Sequence, residues 1–345
     1  MGGGEDSRGN EVERIKTATL KDKRQQIMKK VLLAIIGWSL VVPVLAEHVE
    51  PVPFGDMEQW VVRYIPESKI IGGKIRTLYA IGPTDTIRGG IPYRYGLNGN
   101  PWSMSDAYAV VMGIHKAAGT VSPEPRQDGR GTACRMDVKM MEVVVMGFIN
   151  IHVLVNGTVF WGQTIEPITT AKDPYQNIDF GVPFTKHPKY LQLDYKCIVS
   201  SEQWIWRATG MSASKKIPGH DECEAYLLLQ KRWEDADGHI HAWRVGTAYE
   251  RWVKDEPEWI NDHRIEVHYG DITGKDFYKP YMGLDKPFRA YNSRGEIVQI
   301  EEDGWAEEGV EPTHAILMIT SGSYEALYGK DGNCLWIDNV GLVYE

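Results

Sequence analysis

Cys334-Leu335-Trp336-Ile337-Asp338-Asn339-Val340-Gly341-Leu342-Val343-Tyr344 sets apolar side chains at nearly every other position, with one acidic residue and an amide among them. A half-buried strand needs that alternation, because successive side chains point to opposite faces of a sheet. Asp338 is costly in such a strand unless hydrogen-bond donors or a cation pair with it. A second acidic cluster, Gly55-Asp56-Met57-Glu58-Gln59-Trp60, lies near the other end of the folded region. If residues 55–60 are extended, Asp56 and Glu58 share one face. Neighbouring first and last strands would then bring Asp338 to them. Calcium takes six to eight oxygen ligands at flexible geometry, so Asp56, Glu58 and Asp338 are candidates for a structural Ca2+ that staples the two ends. The alternative is that Asp338 accepts backbone N–H groups and needs no ion.

The same period of two recurs along the chain. Residues 74–82, 108–114, 132–140, 191–199, 225–233, 264–269 and 315–320 all alternate. Turn chemistry separates these runs. Asn156-Gly157 and Asp237-Gly238 each stand between two alternating segments and are expected to close tight hairpins. The 35 Gly and 18 Pro suit many turns. A short helix near residues 57–65 is the one departure. Residues 281–304 have no clean period and are expected to form a long surface excursion framing a binding edge. Regular strands with turn signals predict an all-β sandwich of two antiparallel sheets with few short helices.

Residues 28–46 have the form of a secretory signal. Lys29 and Lys30 precede an apolar run over residues 31–45, and Val44-Leu45-Ala46 supplies the small residues that a signal peptidase reads. The run is short for a membrane span, so cleavage after Ala46 is expected, with no membrane insertion afterwards. Residues 1–27 are polar and mixed in charge and read as an over-long gene start, with Met28 the true initiator; an uncleaved anchor is the other reading. Residues 1–46 are therefore set apart as an N-terminal extension and signal. Residues 47–345 form the folded region, a single large domain in the periplasm or outside the cell.

Residues 47–345 carry 30 basic and 42 acidic side chains. That surface repels phosphate backbones and anionic membranes, which excludes nucleic acid as a natural partner. Cys134 and Cys197 fall on the apolar faces of alternating runs and read as buried thiols; Cys223 and Cys334 are left open, and one bridge between them is an option. No spacing of Cys and His marks a zinc site.

Eleven Trp and 17 Tyr in residues 47–345 suit sugar recognition, because pyranose C–H faces stack on flat aromatic rings while polar neighbours bond the hydroxyls. Trp204 and Trp206 share a strand face in a polar context, followed by Arg207. Trp243 and Arg244 sit in a second charged stretch. These five residues are the candidate ligand-binding set, with the arginines as hydroxyl or carboxylate partners; core packing is the competing reading for each tryptophan. Paired carboxylates, which glycoside hydrolysis requires, occur at Glu234/Asp235, Glu256/Glu258 and Asp262/Glu266, but an acidic chain supplies such pairs by chance. His239-Ile240-His241 puts two imidazoles on one face with no third ligand marked by spacing, and reads as a hairpin flank.

Several stretches resemble the family of exported proteins known as the PCMD, or carbohydrate metabolism domain, family. Gly181-Val182-Pro183-Phe184-Thr185 with Pro188 and Leu191-Gln192-Leu193-Asp194-Tyr195-Lys196 is similar to its central strand entry. Gly157-Thr158-Val159-Phe160-Trp161-Gly162 is similar to its preceding hairpin. Pro312-Thr313-His314, residues 316–319, Ser321-Gly322-Ser323, Gly329, Gly332-Asn333 and residues 335–340 resemble its closing strands. The resemblance implies a galactose-binding-like jelly roll that binds poly- or oligosaccharide, without catalytic residues to carry over, in the company of surface glycan-utilisation partners. A surface adhesion subunit that docks a protein, or a glycoside hydrolase, are the alternatives.

Overall fold

Four strands cross the middle of the folded region in two pairs, and what they bury explains their sequences. Tyr190–Ile198 pairs antiparallel with Cys334–Tyr344, and Cys223–Glu234 pairs antiparallel with His314–Thr320. The computed structural model describes residues 14, 17–26, 28 and 47–345, except 97, 112, 146–148, 170–174, 211, 212 and 285. Residues 17–26 are helical and exposed. The expected signal segment, apart from Met28, lies outside the described residues. No described helix is long and apolar enough to cross a membrane.

Glu47–Glu345 is one compact all-β unit. Its first sheet runs in the order Glu256–Glu266, Tyr190–Ile198, Cys334–Tyr344, Thr132–Asp137, Val121–Pro125. His48–Pro51 also pairs with Cys334–Tyr344, matching His48 to Tyr344 and Pro51 to Gly341. The first and last strands of the folded region are therefore neighbours, but through residues 48–51 and not through an extended segment at residues 55–60. The second sheet runs Ile178–Phe180, Thr158–Thr164, His314–Thr320, Cys223–Glu234, Ile240–Trp252, Ile297–Trp305, Arg289–Tyr291, with shorter strands attached. Both large sheets are antiparallel except for one pairing, Ile240–Trp252 with Ile297–Trp305, which is parallel.

Leu191, Leu193 and Cys197 with Leu335 and Ile337 meet Ala225, Leu227, Leu229, Leu317 and Ile319 in one core, all fully buried. Each large apolar side chain so buried contributes about 1.5–3 kcal/mol of transfer free energy. The opposite face of the second sheet is covered as well. Tyr226, Leu228 and Ile316 pack against Phe180, Ile272, Met282, Phe288 and Ala290 in a second core. Burial on both faces explains why Ala225-Tyr226-Leu227-Leu228-Leu229 is apolar throughout and not strictly alternating.

That second core corrects one expectation. Residues 281–304 are not an excursion: they carry the strands Arg289–Tyr291 and Ile297–Trp305 and seal an apolar sheet face. Two further corrections concern a helix and a turn. Residues 60–66 form a strand, not a helix. Asn156-Gly157 closes no hairpin, because Ile149–Val155 pairs with Lys139–Val145 while Thr158–Thr164 pairs in the second sheet. The dipeptide is a corner where the chain changes sheets, its amide bonded to the Asp137 carbonyl at 3.0 Å. Asp237-Gly238 does close a hairpin, with Glu234 opposite Ile240 and Gly238 at φ 90°. All four cysteines are buried and free.

Candidate cleft site

The long hairpin Cys223–Glu234 and Ile240–Trp252 ends beyond the second core, and its last residues leave the apolar interior. Trp233 is 38% exposed there. It stacks on His241 at a ring separation of 5.5 Å and meets Trp243 edge-on at 5.1 Å. Beside it opens a cleft of about 790 Å³, walled by residues of both large sheets: Glu50–Val52, Leu342 and Tyr344 on one side, Asp179, Gly181–Phe184 and Arg232–Glu234 on the other, with Trp161, Tyr291 and His314. A space of that size suits an oligosaccharide segment, and its lining mixes flat rings with polar groups.

The polar groups of the cleft are individually held. Glu234 accepts hydrogen bonds from the Ser293 amide and hydroxyl, both at 2.7 Å. Asp179 accepts from the Tyr291 amide at 3.3 Å, and burial pushes its carboxyl up from the ordinary range. Arg232 donates through Nε to Gln230 at 2.8 Å and through Nη1 to the Phe180 carbonyl at 2.9 Å. Its Nη2 is buried without a hydrogen-bond partner among the described residues, as is the indole N–H of Trp161. Burial lowers the Arg232 pKa to about 10 against the opposing pull of Asp179 and Glu302. Gly181 makes room for that guanidinium: its φ is 90°, and a Cβ there would stand 2.7 Å from Nη2. Burial, assisted by Arg232, depresses His314 to about 4, so its imidazole is neutral at neutral pH. Lys186 reaches both oxygens of Glu50 at 2.6 Å on the opposite rim.

The residues singled out in the sequence are placed as follows. Trp204, Trp206 and Arg207 lie on Trp204–Arg207, in a small sheet with Lys215–Pro218 and Tyr328–Gly329. The two indoles meet edge to face at 5.4 Å. Ammonium groups of Lys216 and Lys330 stand 3.6 and 3.5 Å from the Trp204 ring centre, so that ring already has cationic neighbours. Arg207 is exposed, 5.9 Å from the Tyr328 ring. Trp243 is 45% exposed and adjoins the cleft through Trp233.

Arg244 is a correction. Its side chain is fully buried and bonds both oxygens of Glu302 through Nε and Nη2. A guanidinium in that position cannot reach a bound ligand. The metal set is a second correction. Residues 53–57 are a turn with Phe54 and Met57 at positive φ, so Asp56 and Glu58 are not on an extended strand. Glu58 accepts from the Thr132 amide at 2.7 Å, and Asp56 is exposed. Asp338 instead faces Arg126, whose Nη1 is 2.8 Å from one of its oxygens, and also accepts from the Asn339 amide at 2.8 Å. The chain supplies its own cation at that point. Asp56, Glu58 and Asp338 do not converge among the described residues, whereas the ligand atoms of Asp235, His239 and His241 do.

Trp233, Asp179, Arg232, Tyr291 and His314 were not singled out by their sequence. The usable signal was the Asp237-Gly238 turn. It brings the aromatic residues of the two flanking strands together at the hairpin end, where the observed register sets Trp233 opposite His241 and Lys231 opposite Trp243.

No family model matches the chain, and no curated protein matches it. Among solved structures it is similar to a "putative glycoside hydrolase" from Bacteroides thetaiotaomicron, at 13% identity and a TM-score of 0.40, covering 87% of this chain and 96% of that one. A second similar structure is a "putative glycoside hydrolase" from Bacteroides vulgatus, at 11% identity and a TM-score of 0.35, covering 86% and 94%.

Proposed function

We propose that the chain is an exported carbohydrate-binding protein of the PCMD family, and that it holds a poly- or oligosaccharide in the cleft beside Trp233 without cleaving it. One observation carries this reading: a cleft of about 790 Å³ joins exposed aromatic surface to fixed polar groups. Sugars present both chemistries, apolar C–H faces for rings and hydroxyls for carboxylates, amides and guanidinium groups. Trp233 is the stacking platform, with Trp243 packed edge-on behind it. Asp179, Glu234 and Arg232 are positioned by their own hydrogen bonds, so little ordering remains to be lost on binding. Trp204, Trp206 and Arg207 would form a separate, secondary contact. The test is affinity electrophoresis of the purified protein through gels containing a panel of plant, host and microbial polysaccharides. Retardation that Trp233→Ala removes supports the cleft.

A hydrolytic reading has one specific observation in its favour. Asp179, with its carboxyl raised by burial, and Glu234 line the same cleft, and an acid and a second carboxylate are what glycoside hydrolysis uses. Release of reducing ends from a polysaccharide retarded by the wild type, lost in Asp179→Asn, would establish it. Binding without release would leave the non-catalytic reading in place.

A further inference from the structure

The turn after Glu234 carries a set of groups that the cleft does not use. Asp235-Ala236-Asp237-Gly238-His239-Ile240-His241 folds so that one carboxylate oxygen of Asp235 stands 3.1 Å from His239 Nδ1 and 3.5 Å from His241 Nε2. The three ligand atoms all lie within 4.8 Å of one another. With Zn–N and Zn–O bonds of about 2.0–2.1 Å, ligands on a tetrahedron are about 3.3–3.4 Å apart. The separations of 3.1 and 3.5 Å bracket that edge length.

The surroundings hold each ligand in a suitable orientation. The other Asp235 oxygen accepts the amides of Asp237 and His239, both at 2.9 Å, which leaves Oδ2 for the imidazoles. His241 Nδ1 is 3.1 Å from Asp303 Oδ2 on the neighbouring parallel strand. A carboxylate at Nδ1 selects the tautomer whose Nε2 lone pair is free, the outer partner that metal-bound histidines commonly have. Trp233 stacked on the His241 ring at an interplanar angle of 15° fixes its plane. His239 is 59% exposed and His241 20%, so an ion could enter from solvent.

We infer that Asp235, His239 and His241 bind a Zn2+ ion, with Asp303 as the outer partner of His241 and the fourth coordination position open. Two imidazole nitrogens and one carboxylate oxygen favour zinc over calcium or magnesium, which prefer all-oxygen shells. Glu301, 3.9 Å from the same His241 Nδ1, lies on the outer side with Asp303 and is not a ligand. This site is independent of whether the cleft binds sugar.

The experiment uses the purified full chain without an affinity tag. Co2+ is added first, as a visible reporter of tetrahedral coordination, and Zn2+ is then used to displace it. The expected result is one saturable Co2+ per chain with strong visible absorption bands, displaced by one equivalent of Zn2+. His239→Ala and His241→Ala should each abolish the bands. Asp303→Asn, which leaves every ligand in place, should weaken Zn2+ affinity about 10- to 100-fold. Glu301→Gln should leave it unchanged. The proposal is overturned if no bands form, if the bands survive both histidine substitutions, or if Glu301→Gln weakens binding as much as Asp303→Asn. The substituted residues are at the surface of a hairpin, and unchanged circular dichroism would show that loss of binding is not loss of fold.

Discussion

Asp194 and Asp338 stand opposite each other on neighbouring strands, and each places a carboxylate oxygen 2.8 Å from the same Nη1 atom of Arg126. Two buried carboxylates facing each other would repel, and the guanidinium between them makes the arrangement tenable. Arg126 also bonds Asp128 and Asn261 and lies 3.9 Å from the ring centre of Trp259. It therefore ties the loop after Val121–Pro125 to the two central strands of the first sheet.

Replacing Arg126 by Met should lower stability by about 3–5 kcal/mol, because two buried carboxylates would be left facing each other unpaired. Urea unfolding at neutral pH, followed by circular dichroism, measures this. Added Ca2+ should not restore the midpoint, since Asp56 and Glu58 do not reach Asp338. Restoration by Ca2+ would revive the ion site expected from the sequence.

His314 makes stability depend on pH in a defined direction. Its folded pKa, about 4, lies below the ordinary histidine value of 6.5, chiefly through burial and then through Arg232. The unfolded chain binds the proton first as pH falls, so stability present above pH 6.5 is lost as pH drops toward 4. His314→Gln should flatten the slope of stability in that window. An unchanged slope would mean that His314 is protonated in the folded chain.

The neighbours Trp243 and Arg244 should separate sharply. Arg244→Met breaks a buried ion pair with Glu302 and should cost about 3–5 kcal/mol. Trp243→Ala, at a half-exposed position, should cost about 1 kcal/mol or less. Thermal unfolding of the two variants compares them directly.

The four buried thiols should not react with a thiol reagent in the native protein, and all four should react once it is unfolded. Only two reactive thiols in the denatured chain would mean that a bridge had formed.

Much of the sandwich was legible because strand alternation is a local property. Leu191, Leu193 and Cys197 could be assigned to one face by counting, and so could Leu335 and Ile337. The closing strand followed from the same count, but its pairing with His48–Pro51 did not, because alternation along one strand does not say which strand lies beside it. The cover over Tyr226, Leu228 and Ile316 was not legible, because Met282, Phe288 and Ala290 are spread through an irregular segment whose apolar residues have no period. Asn156-Gly157 misled because the local turn preference is the same whether the chain returns in the same sheet or crosses to another. At the site, Arg244 looked like a surface arginine because Glu302, its partner, is 58 residues away. Arg126 was passed over for the same reason. Its partners Asp194 and Asp338 come together only through sheet register, and a metal was the simplest cation to invoke for Asp338 alone. The two histidines lacked a third ligand in linear spacing, yet Asp235 was only four residues before His239, brought round by the turn itself.

The most direct test of the central claim is affinity electrophoresis of wild type, Trp233→Ala and Trp204→Ala through the same panel of polysaccharide gels. The cleft reading predicts that at least one polysaccharide retards the wild type, that Trp233→Ala runs as in an empty gel, and that Trp204→Ala is still retarded. It is contradicted if no polysaccharide retards the wild type, or if retardation persists in Trp233→Ala and disappears in Trp204→Ala.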